Sequence, residues 1–316
     1  MQPLKNLIIF SLIIVLLACD NSPKAEKTIV LAPDGLFSAT LSEHYALLGT
    51  SKGNAQLWQL NPKKLIHNWQ HTEDKNGIIA LAISETEEYA ITAERDSIAW
   101  WRISDGALLN VWSLPGITNV SLSAEGNFAL IGLQDKAIYF ALEYGKTLYA
   151  FAHQDVISAI ALSVSGNFAL TGSNDGEAKL WDLTTGELKY VWQHRTKLSV
   201  VALSENDKFA LTNAALGSTQ IWKISNGKLF KQIGPNLMTL SSARYSKNGG
   251  YLLTGQISQK IDLWRVKTGK VIKHWRPKVD DAWRPSAASI LALAFSNKDK
   301  KFYSISSRGI LQRWKK

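Results

Sequence analysis

This 316-residue chain repeats itself, and that restricts its possible folds more than any other feature. The stretch "ISAIALSVSGNFALTGSNDGEAKLWDLTTGELKYVWQH" at 157–194 returns in weaker copies, among them "IIALAISETEEYAITAERDSIAWWRISDGALLNVW" and "LSVVALSENDKFALTNAALGSTQIWKISNGKLFKQI". An aromatic anchors each copy, at Trp58, Trp101, Phe140, Trp181, Trp222, Trp264 and Trp314, with spacings of 43, 39, 41, 41, 42 and 50 residues. Every copy holds four short runs that alternate with period two and are rich in β-branched and aromatic residues. Turn signals such as "SNDG", "TTG" and "SNG" separate them. Four short strands per repeat are the pattern of a propeller blade, so the repeats predict an all-β, seven-bladed β-propeller.

The aromatic residues follow the same period. Eleven residues after each anchor comes a second large apolar residue, at Trp69, Trp112, Phe151, Trp192, Ile233 and Trp275, where an outer strand is expected. Ten of the twelve tryptophans thereby have packing positions. Trp100 is expected to face outward or lie at an edge, and Trp283 belongs to no repeat. With 46% hydrophobic and 20% charged residues, disorder is excluded.

The last blade is one strand short. "ILALAFS", "KFYSIS" and "GILQRWKK" supply three strands, and a fourth must cover the open apolar edge of the last one. The unassigned strand-like segment is "KTIVLA" at 27–32, so the ring is expected to close by an N-terminal strand pairing with the C-terminal blade.

The first residues obey other rules. Lys5, an apolar run from Leu7 to Ala18 and the single cysteine, Cys19, read as a secretory signal peptide, the run being too short for a comfortable membrane span. "LLAC" at 16–19 resembles the bacterial lipoprotein processing box. That resemblance implies cleavage before Cys19 and a diacylglycerol on its thiol. The expected organisation is residues 1–18 as a removed signal peptide, 19–27 as lipidated cysteine and short tether, and 28–316 as propeller. Asp20 after the cysteine resembles the signal that keeps enteric lipoproteins in the inner membrane rather than the outer. A lone cysteine closes no internal disulfide, so stability has to come from packing.

"LWDL" at 180–183, with "TGSNDG" before it, resembles the WD-repeat family, and the resemblance extends over about 28–316. It implies a propeller closed by its N-terminal strand. It also implies that His153, Thr171, Asp175 and Trp181 form a hydrogen-bonded structural tetrad. Other blades depart from the pattern: only Trp181 is followed by aspartate, Phe140 replaces a tryptophan, and the loop histidine recurs only at His71 and His194.

Charge is uneven along the chain. From Arg244 to Lys316 there are 17 Lys and Arg against 4 Asp and Glu, whereas the rest carries 19 against 22. Blade topology places Lys267, Lys270, Lys298, Lys300, Lys301, Lys315 and Lys316 on turns of the face from which the tether leaves. They are candidates for contact with anionic headgroups, the alternative being ordinary solvated turns. The long loop "RPKVDDAWRPSAAS" at 276–289 lies on the opposite face. Trp283, flanked by Arg276, Asp280, Asp281 and Arg284, has the composition of an interface anchor, or of a loop packing its own tryptophan.

No glycine-flanked serine elbow, HExxH, phosphate loop or Cys/His ligand cluster is present. His67 and His71 straddle a strand end and a turn, a poor geometry for a metal. The inner strands, such as "ISAIALS" and "ILALAFS", are poor in acids and histidines, which argues against a channel enzyme. The expectation is a lipid-anchored, periplasm-facing, non-catalytic interaction platform with unknown protein partners and no cofactor, metal, nucleic acid or small-molecule substrate. One alternative is an envelope assembly factor similar to the propeller lipoprotein of the β-barrel assembly machinery, whose repeats resemble "TGELKYVW" and "TGKVIKHW". Another is an enzyme with a channel site.

Overall fold

The computed structural model describes residues 23–71, 77–277, 288–296 and 298–316. They form seven four-stranded antiparallel sheets, and every regular element among them is a strand. Blade four is representative, with Ile157–Leu162 at the axis, then Phe168–Ser173, Glu177–Asp182 and, outermost, Leu188–Gln193. The second strand is buried almost throughout because neighbouring blades cover both of its faces, so it reads as a continuous small-and-apolar run such as "FALTGS".

In blades one to six the pairing of the third with the outer strand slips by one residue immediately before the anchor aromatic, as between Leu180 and Trp181. Such a bulge increases local twist, which a blade needs between axis and rim. In blades one to six a serine follows the inner strand, and its hydroxyl accepts the N–H that opens the next strand. Ser163 accepts from Phe168 at 2.9 Å and Ser246 from Tyr251 at 3.0 Å.

Blades are joined by aromatic stacking between one outer strand and the next blade's anchor. Trp69 stacks on Trp101 with centroids 4.9 Å apart, Phe151 on Trp181 at 4.6 Å and Trp192 on Trp222 at 5.0 Å. The Trp192 indole N–H also donates to the carbonyl of Gly227, 2.9 Å away, in the next blade's turn. Gly227 has φ 69°, and a Cβ there would lie 2.6 Å from Tyr190, so only glycine fits this turn. Trp100 corrects the expectation of an outward position. It packs against Tyr89 (5.3 Å) and Trp112 (6.5 Å), because the third strand, like the second, has a blade on either side.

Blade seven consists of Ile290–Ser296, Lys301–Ser306, Ile310–Lys315 and the N-terminal Lys27–Val30. The register runs from Lys27 opposite Arg313 to Val30 opposite Ile310. Leu31 and Ala32 continue into the core shared by blades seven and one. The strand thus links the ends of the chain through backbone bonds and apolar burial together.

Candidate functional site

The ring has two faces. On the entry face, where Lys27 begins its strand, lie the turns between inner and second strands and between third and outer strands. The loop face carries the inter-blade loops and the turns between second and third strands.

Blade four brings His153, Thr171, Asp175 and Trp181 together. His153 Nδ1 lies 3.0 Å from Asp175 Oδ2 and Nε2 lies 2.8 Å from Thr171 Oγ1, while the Trp181 indole N–H donates to the same hydroxyl at 2.9 Å. Burial holds the His153 pKa below its ordinary value against the pull of Asp175. Burial would raise the Asp175 pKa, but the backbone N–H groups of Glu177 and Gln154 and the His153 ring hold it below the usual carboxylate range. His153, Asp175 and Glu177 offer ligand atoms within 4.8 Å of one another. Those atoms are engaged already: Asp175 Oδ1 accepts from Glu177 N at 2.7 Å, and Lys179 Nζ lies 3.0 Å from Glu177 Oε2. The cluster joins an inter-blade loop to the second and third strands.

The bond from indole to hydroxyl recurs at Trp101 to Thr92 (2.9 Å), Trp222 to Thr212 (2.8 Å), Trp264 to Thr254 (2.9 Å) and Trp314 to Ser304 (2.8 Å). The histidine does not recur with it in every case. His71 bonds Thr92 and Ser97, whereas His194 has no side-chain bond of this kind. His67 stacks on Trp69 and bonds the carbonyl of Ile103 at 2.8 Å, separate from His71.

The axial channel differs from its sequence reading. The inner strands hold no acid or histidine, but they line the channel with Thr40, Asn119, Ser158, Ser199, Ser241 and Arg244 beside small apolar residues, and the turns beyond them bring carboxylates to the mouth on the entry face. A cavity of about 340 Å³ there is lined by Glu43, Glu85, Glu87, Glu205, Asp299 and Arg244, among others. Arg244 reaches across to Glu85 (2.9 Å) and lies 3.7 Å from Glu205, while Lys247 lies 3.7 Å from Glu43 and His44 2.7 Å from Glu87. Burial raises the Glu205 pKa although Arg244 opposes it. Arg244, close to carboxylates of two other blades, is held as a bar across the axis.

Of the lysines assigned to the entry face, Lys267, Lys270, Lys298, Lys300 and Lys315 are exposed. Lys301 pairs with Glu26 at 2.9 Å, and the Lys316 ammonium sits 3.3 Å from the Tyr251 ring centroid. Those two have protein partners, so they present less charge to solvent. On the loop face Arg276 is exposed, while Asp280, Asp281, Trp283 and Arg284 lie outside the described residues, as does Cys19.

Comparison with known families agrees with this geometry. Residues 145–182 match the family model described as WD domain, G-beta repeat. The match runs from the outer strand of blade three through the third strand of blade four, so the sequence repeat is offset by one strand from the blade. That same offset leaves the last blade short of an outer strand and the N-terminus with one to donate. No curated protein matches the chain. WD-repeat propellers typically serve as protein-interaction scaffolds and are generally non-catalytic. This chain is a seven-bladed β-propeller in which one repeat, spanning blades three and four at 145–182, is similar to the WD-repeat family.

Proposed function

We propose that this propeller is held to a bacterial membrane by lipid on Cys19 and works on the periplasmic side, at the inner membrane, as a non-catalytic platform for protein partners. The observation that carries the reading is the start of the ring-closing strand on the entry face. Residues 20–27 link Cys19 to that strand, and fully extended they reach at most about 29 Å. A propeller on so short a tether keeps its entry face, with the exposed Lys267, Lys270, Lys298, Lys300 and Lys315, near headgroups. The loop face, where Arg276 is exposed, is then turned toward the periplasm, and Trp283, outside the described residues, is the proposed anchor for a partner.

The test has two arms. Cys19→Ser is expected to lose fatty-acid labelling and leave the membrane fraction; unchanged labelling would remove the anchor from the proposal. Trp283→Ala is expected to weaken partner recovery after in-cell crosslinking roughly thirtyfold, the effect of about 2 kcal/mol at an interface tryptophan. Its melting temperature is expected to stay within a few degrees of the parent. Lower stability with the same partners recovered would make Trp283 a packing residue.

A further inference from the structure

Blade five carries a second opening on the loop face. A cavity of about 610 Å³ lies where the loop after its preceding outer strand, at His194 to Thr196, meets the turn at Ala214 to Ser218 and the loop at Asn236 and Leu237. Leu216 stands six residues before Trp222, as Asp175 stands six before Trp181, so an exposed leucine replaces the tetrad aspartate. Its backbone departs as well. In blade four the left-handed residue of this turn is Gly176 (φ 85°), but in blade five it is Leu216 (φ 53°), although Gly217 follows. Leu237 is also left-handed, at φ 70°. A leucine in that region is strained, and such strain persists only where surrounding contacts hold it. Here the Leu216 N–H donates to Thr239 Oγ1 at 3.0 Å and the Leu237 N–H to the carbonyl of Gly217 at 3.0 Å. The two side chains held in this way are 66% and 70% exposed.

Polar groups beneath them are unsatisfied. His194 Nε2 and Gln220 Oε1 are buried without a hydrogen-bond partner among the described residues, whereas both ring nitrogens of His153 in blade four are bonded. Buried polar atoms are usually paired, and an unpaired pair lining an open cavity calls for a ligand that pairs them. Gln220 Oε1 needs a donor, and the imidazole nitrogen donates or accepts according to tautomer. A main-chain amide offers one donor and one acceptor.

We propose that this cavity takes an extended peptide segment of a partner protein, its main-chain amide meeting Gln220 and His194 and one apolar side chain resting against Leu216 and Leu237. Arg195 is the one charged residue lining the cavity, so a neutral or acidic segment is favoured over a basic one. Burial holds the His194 pKa at about 4, so the ring adds no positive charge at neutral pH. The inference rests on the platform reading, but it uses none of residues 276–289. Failure of the Trp283 experiment therefore leaves it standing.

The test probes the full chain, labelled with ¹⁵N-histidine, with blocked hexapeptides carrying one leucine and with counterparts N-methylated at that leucine. Expected are peptides that shift the His194 ring signals saturably and lose roughly tenfold or more in affinity on N-methylation and in Leu216→Asp or Leu237→Ala. Three results would overturn the proposal: no peptide that moves the His194 signals, binding undiminished in both variants, or binding confined to lysine- and arginine-rich peptides.

Discussion

Arg244 of blade six and Glu85 of blade two meet across the propeller axis, Nη2 to Oε2 at 2.9 Å, although they stand 159 positions apart in the chain. The pair is possible because the corresponding positions of the other inner strands are small, at Thr40, Ala82, Ser121, Ala161, Ala202 and Ala294. One long side chain among six short ones spans the channel. Both members are partly exposed, at 40% and 33%, which places the pair among those worth up to about 1 kcal/mol.

Arg244→Ala is therefore expected to lower stability by about 1 kcal/mol or less. Its clearer signature is electrostatic. The Glu205 carboxyl is raised by burial and held back by Arg244, so removing the guanidinium should raise its pKa further. NMR titration of Glu205 in parent and variant checks this. An unchanged midpoint would place Arg244 away from the channel mouth.

Ring closure is tested by one added methyl group. Gly309 has φ 71°, and a Cβ there would lie 2.1 Å from the carbonyl oxygen of Ala32, in the N-terminal segment that closes blade seven. Gly166 has a similar φ of 76°, but its Cβ would meet nothing within 4 Å. Gly166→Ala should then cost only the left-handed penalty, about 1 kcal/mol, and Gly309→Ala roughly 2–4 kcal/mol because the closing strand has to shift as well. Denaturant midpoints give the comparison, and deletion of 27–32 should exceed both. Equal midpoints for the two alanine variants would mean that the ring does not depend on this contact.

Thr171→Val probes the tetrad. The substitution keeps the shape and removes a hydroxyl that accepts from Trp181 and bonds His153, leaving two buried polar groups unpaired. At about 1–3 kcal/mol for each orphaned group, a loss of roughly 2–6 kcal/mol is expected. Thr212→Val in blade five orphans only the Trp222 indole and should cost about half as much. Calorimetric melting of both variants decides. A larger loss at Thr212 would mean that His194 depends on that hydroxyl after all.

Features confined to one repeat were legible in the sequence. The anchor spacing gave the blades, and the missing fourth strand gave the closure, because both follow from local periodicity and from the need to cover an edge. The channel mouth was not legible. Glu85, Glu205 and Arg244 come from three blades, and no local pattern brings them together. The nearest signal is the arginine at an inner-strand position that is small in every other blade. Trp100 was misread because period-two alternation assumes one solvated face, and the third strand of a blade has none. Leu216 could have been found by setting Trp222 against Trp181 and counting back six residues. The left-handed turn that exposes it could not have been found that way, since the sequence offers Gly217 for that conformation.

Acid should weaken the fold from about pH 6.5 downward, starting above the ordinary carboxylate midpoints. Burial holds the His71 pKa at about 4, opposed by its hydrogen bond at Thr92, and burial alone holds His194 at about 4. In the unfolded chain both titrate near 6.5. Between about 6.5 and 4 the unfolded state therefore binds more protons than the folded one. Stability falls as pH drops through that window and stops falling on their account below it. For His71 the loss across the window is on the order of 3 kcal/mol, at about 1.4 kcal/mol for each pH unit. His71→Gln removes this dependence along with the bonds to Thr92 and Ser97. The variant should be less stable than the parent at pH 7, and the gap should narrow toward pH 4 as the parent loses what its neutral histidine contributed. Urea unfolding of both proteins from pH 7 to pH 4 measures the gap directly. A constant gap would mean that His71 takes up its proton as easily in the folded ring as in the open chain.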